Sequence, residues 1–185
     1  KKNYKIIVVS SAMSGVTNGL IKKSREISEN FSETEYDTLV SSGEQVACSL
    51  IAGRLIHIGL KSRSWLAWQI PIISKGLHKN SRIKQINKNK ILNYMKEGGI
   101  PIITGFQGIS SENRITTLGR GGSDASAIML AKFFKAQRCV IYTDVEGVFT
   151  TDPKKLSEAK KIKVISYEEM LEMASLGAKV MQPVS

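Results

Sequence analysis

Short apolar runs that end in loops of small polar residues, each leading toward a helical pattern, recur along this chain, and that alternation constrains the fold most. Lys5-Ile-Ile-Val-Val-Ser10 is a continuous aliphatic run, as a strand buried on both faces shows. It gives way to Ser11-Ala-Met-Ser-Gly-Val-Thr-Asn-Gly19 and then to a helical pattern over 20–27. Residues 29–37 are polar and read as a loop. Ser41-Ser-Gly-Glu44 then opens an amphipathic helix with Val46, Leu50, Ile51, Leu55 and Ile58 on one side, closed by Gly59. Residues 64–68 read as a strand and 69–84 as strand and loop pieces broken by Pro71. A helix over 85–96 stops at Gly98-Gly99, and Ile100-Pro-Ile-Ile-Thr104 is a further strand with its proline near the start. A helix over 123–135, a strand over 138–142 and a final helix begun by the capping-box pair Ser166 and Glu169 complete the pattern. Strands alternating with helices predict an α/β domain, a mainly parallel sheet covered on both faces in a three-layer αβα sandwich. Ligands of such sheets bind beyond the carboxyl ends of the strands. Three small-residue loops, 11–19, 117–124 and 143–154, fall at such ends or at helix starts.

Composition narrows the class. A chain of 185 residues with 42% hydrophobic content suits one domain with a real core. No apolar stretch approaches the roughly 20 residues of a membrane helix, and the N-terminal run is too short for a secretory signal. Cys48 and Cys139 stand 91 positions apart without metal-ligand spacing, which excludes a disulfide scaffold and reads as two buried thiols in a reducing compartment. His57 and His78 have no ligand-spaced partners and read as structural. The net charge of +11 is concentrated: from Gln45 to Lys96 there are ten Lys or Arg and no Asp or Glu. A nucleic-acid footprint is one reading. No aromatic residue lies between Trp68 and Tyr94 to stack on bases, which favours a solvated basic surface.

The loops carry the candidate chemistry. In Thr117-Leu-Gly-Arg-Gly-Gly-Ser-Asp124 three glycines allow a ligand close to the backbone just before a helix N-terminus, where anions are favoured. Arg120 adds a bidentate fork for a carboxylate or phosphate, and Asp124 is either a capping residue or a ligand contact. The 11–17 loop is either a hydroxyl and amide donor to an anion or a tight turn. Ser41 and Glu44 fit S-x-x-E, so on spacing alone Glu44 is a capping partner. Thr143 and Asp144 at a strand end can bind ribose or begin a turn. Lys179 is solvated, or reaches phosphates as a point charge.

Taken together, Val-Val-Ser-Ser-Ala-Met-Ser-Gly-Val-Thr-Asn, Ser-Gly-Glu, Arg-Ser-Trp-Leu-Ala-Trp-Gln-Ile-Pro, Gly-Phe-Gln-Gly, Thr-Thr-Leu-Gly-Arg-Gly-Gly-Ser-Asp, Tyr-Thr-Asp-Val-Glu-Gly-Val-Phe-Thr-Thr-Asp-Pro and Leu-Gly-Ala-Lys-Val-Met resemble the aspartate kinases of the amino acid kinase family, in the family's order and over nearly the whole chain. The resemblance implies a cytoplasmic enzyme of amino-acid biosynthesis that transfers phosphate from ATP to the side-chain carboxylate of L-aspartate. Mg²⁺ would be carried by the nucleotide, and the complete enzyme would be a homo-oligomer. It implies Thr17, Glu44, Arg120 and Ser123 as aspartate contacts, with Arg120 on the α-carboxylate and Glu44 and Asp124 near the ammonium. Ser11, Asp124 and Lys179 would be catalytic, and Thr143, Asp144, Phe149, Lys154 and Lys179 would bind ATP. This replaces the capping role of Glu44. Kinases of glutamate or acetylglutamate, and a basic nucleic-acid module, remain as alternatives.

The chain also departs from that pattern. The family's opening Lys-Phe-Gly-Gly-Thr-Ser strand and the helix after it have no counterpart before Lys1, nor do its regulatory domains after Ser185. Phe149, Lys154 and Gln182 stand where Tyr, Arg and His are usual. The expectation is a single partial catalytic domain, truncated at both ends, with little or no activity alone.

Overall fold

Three parallel strands hold the centre of the fold: β1 (Val8–Ser10), β2 (Ser62–Trp65) and β5 (Ile100–Thr104), in the order β1-β5-β2. The strand β5 is central because it is apolar on both faces, and its alternate residues serve two different layers. Ile102 packs with Cys48 and Ala52 of the long helix α2 (Glu33–His57). Ile103 belongs to the main core, with Trp65, Ile70, Ile72, Ile91 and Leu130. Pro101 is tolerated inside this strand for a specific reason. The N–H of Ile100 donates to Lys61 O of the β2 side at 2.8 Å, so an N–H at 101 would face β1, whose pairing starts only at Val8↔Ile102.

A second, mixed sheet has the order β4-β3-β6-β7, built from β3 (Ile72–Lys75), β4 (Arg82–Ile86), β6 (Gln107–Ile109) and β7 (Ile115–Thr117). Only β3 and β6 pair in parallel; the β3–β4 and β6–β7 pairs are antiparallel. Helices α3 (Asn89–Lys96) and α4 (Gly122–Phe134) supply Ile91 and Leu130 to the core, while α1 (Val16–Ile27) packs along α2. The result is the expected α/β arrangement of a parallel sheet with flanking helices, extended by a mixed sheet. The acid-free stretch finds a structural use here. Arg82 and Lys84 point outward from the edge strand β4, where charge discourages edge-to-edge pairing. Lys88 and Lys90 bond the carbonyls of Phe133 and Gln69.

The computed structural model describes residues 4–119, 121–143, 147–151 and 155–175. Residues 1–139 and 140–185 are separate compact units, and each is described by itself. In the second unit Val148–Thr150 faces Lys160–Ile162 through Thr150 N–H to Lys160 O at 2.9 Å and Ile162 N–H to Val148 O at 2.8 Å. The helix α5 (Tyr167–Ser175) begins at the expected capping box: Glu169 N–H donates to Ser166 Oγ at 3.1 Å and Ser166 N–H to Glu169 Oε2 at 2.8 Å. Among the described residues no helix is long and apolar enough to cross a membrane.

Five expectations are corrected. Residues 33–37 are helical, because Glu33 and Glu35 suit the positive end of the helix dipole and α2 starts there. Consequently Ser41 and Glu44 lie in mid-helix and cap nothing; Ser41 Oγ bonds Thr38 O instead. The buried stripe of α2 is Asp37, Val40, Ser41, Gly43, Glu44, Ala47, Cys48 and Ala52, whereas Val46, Leu50 and Ile58 are about half exposed. Small side chains let the helix sit close to the sheet; Leu55 packs against the Ile102 cluster as expected, while Val46, Leu50 and Ile58 face outward. The 138–142 run forms no strand, with Val140 and Tyr142 largely exposed, and Cys139 is exposed while Cys48 is buried.

Candidate functional site

The cleft forms where the β1–α1 loop, the middle of α2 and the start of α4 converge. Gly43 makes this convergence possible: a Cβ there would lie 2.9 Å from Ala12 Cβ and 3.2 Å from Val16 Cγ1, inside van der Waals contact. With no side chain at 43, α2 approaches the loop closely enough for Ala12 N–H to donate to Glu44 Oε1 at 3.2 Å. The Ser-Gly-Glu sequence thus brings a carboxylate from the body of a helix to the mouth of a strand.

Glu44 is the unusual group of the cleft. It is 3% exposed, and its Oε2 has no hydrogen-bond partner among the described residues. Burial pushes its carboxyl up from 4.5 to about 7, only partly countered by backbone hydrogen bonds. A buried, unsatisfied polar atom costs roughly 1–3 kcal/mol, a cost that a donor entering from the cleft removes. The cleft itself measures about 880 Å³ and is open to solvent.

Its opposite wall is the glycine-rich loop. Gly121, at φ 68°, occupies the N-cap position of α4 without any side-chain cap bond, so Ser123 and Asp124 lie in the first turn rather than at the cap. Both line the cleft, and burial raises the Asp124 carboxyl from its ordinary value. Phe106, in a left-handed conformation at φ 65°, forms the floor between β5 and β6. Its N–H donates to Ser126 Oγ and its carbonyl accepts from Leu118 N–H, both at 3.0 Å, which fixes a conformation a bulky residue rarely adopts.

Of the residues singled out from sequence, Ser11, Thr17, Glu44, Ser123 and Asp124 line this one cleft. Thr143 and Phe149 belong to the second unit, where Phe149 forms an antiparallel bridge with Lys161. Arg120, Asp144, Lys154 and Lys179 lie outside the described residues. Sequence reasoning missed Asn18, Lys22, Arg25, Tyr36, Lys79 and Phe106, which also line the cleft. The helical register of Asn18, Lys22 and Arg25 behind Thr17 could have flagged the first three. Tyr36 sits in a polar segment whose pattern imitates a loop, and Lys79 arrives from the distant β3–β4 turn, for which spacing gives no signal.

Comparisons with known proteins place the chain in a family. Residues 1–185 match the amino acid kinase family. An aspartokinase of Rickettsia conorii is 50% identical over 185 residues, and one of Geobacillus stearothermophilus 48% over 183. These alignments cover 98% and 99% of this chain but 46% and 45% of the relatives, so the chain spans about half the length of the curated relatives it matches. Among solved structures, E. coli aspartokinase III in complex with aspartate and ADP superposes with a TM-score of 0.86 at 28% identity, over 97% of this chain and 51% of that one. The aspartate kinase of Synechocystis superposes at 0.80 with 43% identity, over 97% of this chain and 29% of that one. An isopentenyl phosphate kinase at 20% identity, TM-score 0.67, shares the fold alone, over 98% of this chain and 76% of that one. With its parallel sheet, its glycine-rich helix start and a match over its whole length, the chain belongs to the amino acid kinase family.

Proposed function

We propose that this chain carries the acceptor-binding part of an aspartate kinase, which transfers the γ-phosphoryl group of ATP to the side-chain carboxylate of L-aspartate. The observation that carries the reading is Glu44: a buried carboxylate with an orphaned oxygen, in a cleft lined by Ser11, Thr17, Ser123 and Asp124, in a chain about half identical to aspartokinases. An α-amino acid supplies what that oxygen lacks, an ammonium donor. Glu44 and Asp124 hold the ammonium, Thr17 and Ser123 orient the backbone end of the substrate, and Arg120 takes its α-carboxylate.

In the reaction a side-chain oxygen of aspartate attacks the γ-phosphorus while the bond to the β–γ bridging oxygen breaks, and its electron pair leaves with ADP. The nucleophile is already an anion, so no general base is needed. The work lies in positioning two anions against each other and stabilising the charge that spreads over the transferring group. Ser11 and the N-terminus of α4 supply donors on the acceptor side. On the nucleotide side the reading assigns Thr143, Asp144, Phe149 and Lys154, with Lys179 on the phosphates. Mg²⁺ carried by the nucleotide would neutralise phosphate charge. Residues 1–185 belong to the catalytic part of a cytoplasmic enzyme that works as a homo-oligomer.

Calorimetric titration of the 185-residue chain with L-aspartate, L-glutamate and N-acetyl-L-glutamate tests the substrate. The reading expects at least tenfold tighter binding of L-aspartate. Preference for either glutamate compound would assign the cleft to a sibling carboxylate kinase. Retardation by duplex or single-stranded nucleic acid at physiological salt, without amino-acid binding, would overturn it.

A further inference from the structure

Seven residues before Glu44 on the same buried stripe of α2, Asp37 has an environment of the opposite kind. It is fully buried, and three residues from two distant segments, 78–79 and 117, bond its carboxylate. Thr117 gives two bonds, N–H to Oδ2 at 3.0 Å and Oγ1–H to Oδ1 at 2.6 Å. The Lys79 N–H is shared between both oxygens at 3.1 Å, and His78 Nδ1 lies 2.7 Å from Oδ2. A carboxylate offers about four acceptor positions, and here they are filled. Two of the partners, Thr117 and Lys79, line the cleft. Thr117 is the last residue of β7 before the glycine-rich loop, and its carbonyl is held by Ser81 N–H at 2.9 Å and Ser81 Oγ at 3.0 Å. Lys79, left-handed at φ 64°, lines the cleft, and its carbonyl would lie 3.2 Å from a Cβ at Gly119, itself at φ 80°.

We propose that Asp37 is a positioning residue: it clamps Thr117 and the 78–79 turn to α2 and so sets the glycine-rich loop that forms the acceptor wall of the cleft. It touches no substrate; it acts through the loop. The charge of the carboxylate matters because all of its neighbours present donors. An amide in its place turns an NH₂ toward the Lys79 N–H in either orientation, because that N–H is shared between both oxygens, and leaves two donors facing each other. The assignment to the acceptor side rests on the functional reading above, whereas the clamp itself does not.

The test is Asp37→Asn in the 185-residue chain, read by amide hydrogen exchange and by separate titrations with L-aspartate and ADP. At labelling times too short for global unfolding, exchange over 117–119 and 78–81 should accelerate at least tenfold, while 47–55 of α2 and 100–104 stay protected. Aspartate affinity should fall at least tenfold with ADP affinity held within twofold, a split that general loosening would not produce. Unchanged exchange in those two segments, or uniform acceleration across the chain, overturns the proposal. Should Asp37→Asn fail to fold, Thr117→Val removes one hydroxyl bond to the carboxylate while keeping the shape. A local acceleration of at least threefold supports the clamp, and none refutes it. If the unaltered chain binds no aspartate, the functional reading falls, and the exchange measurements alone decide for or against the clamp.

Discussion

Asp37 and Glu44 stand two turns apart on one face of one helix, both buried, and they differ in what surrounds them. Every acceptor position of Asp37 is filled by the protein itself. Glu44 has one bond from Ala12 and an oxygen with no partner among the described residues. The first end of the stripe is finished structure, and the second keeps an open oxygen, which on the proposed function the substrate completes. The difference shows how a single helix can serve folding and, on the proposed function, binding: a saturated carboxylate contributes stability, and an unsatisfied one stores a cost that a ligand would relieve.

The comparison is sharpest when the two groups are neutralised in turn. Asp37→Asn should lose roughly 3 kcal/mol or more of stability in urea denaturation, since several bonds to a charged acceptor go at once. Glu44→Gln should keep or gain stability at pH 8 while weakening L-aspartate at least a hundredfold, roughly 3 kcal/mol of binding. Equal destabilisation by both variants would break the distinction.

Stability should also follow pH through Glu44. Its folded value of about 7 lies above the ordinary 4.5. Below about 4.5 both states are protonated and its contribution is complete. Between 4.5 and 7 the unfolded chain ionises first, so stability falls with rising pH, and above 7 the loss is complete. At about 1.4 kcal/mol per pH unit, the total is roughly 3 kcal/mol. Urea midpoints of the native chain minus those of Glu44→Gln should trace this fall; a flat difference would contradict the burial of an orphaned carboxyl.

Gly43→Ala should cost about 1–3 kcal/mol through overpacking against Ala12 and Val16, and should shift Glu44 away from the loop. Aspartate affinity would fall in parallel, measurable on the same samples. The smallest effect concerns the thiols. Cys139 is exposed and should react with iodoacetamide while the chain is folded. Cys48, buried with its thiol pushed up to about 11, should react only after denaturant is added.

Much of this architecture is written in local patterns. The 100–104 strand is legible because five residues without a charge are bounded by glycines on both sides, and the Ser166–Glu169 box because a cap is a local hydrogen-bond pattern. The glycine-rich start of α4 is equally local. The long helix is the contrary case. Apolar residues are spread around α2, so periodicity does not choose a face, and the tertiary context buries its small residues instead of Val46 and Leu50. Asp37 was invisible because a polar stretch resembles a loop and its partners lie 41 to 80 residues away. The 138–142 run shows that β-rich composition forms no strand without a ladder partner among the described residues. Glu44 was legible as a binding group only through the family resemblance, because its spacing from Ser41 imitates a cap.

The account's central claim is that Glu44 waits, protonated at mildly acidic pH, for the ammonium of an amino-acid substrate. L-Aspartate titrated calorimetrically into the 185-residue chain at pH 6, in two buffers of different ionisation enthalpy, tests it directly. The claim predicts that binding expels close to one proton at pH 6 and none at pH 8.5, and that succinate, which lacks the ammonium, binds far more weakly. Aspartate binding with no proton release at pH 6, or succinate binding as tightly as aspartate, would contradict it.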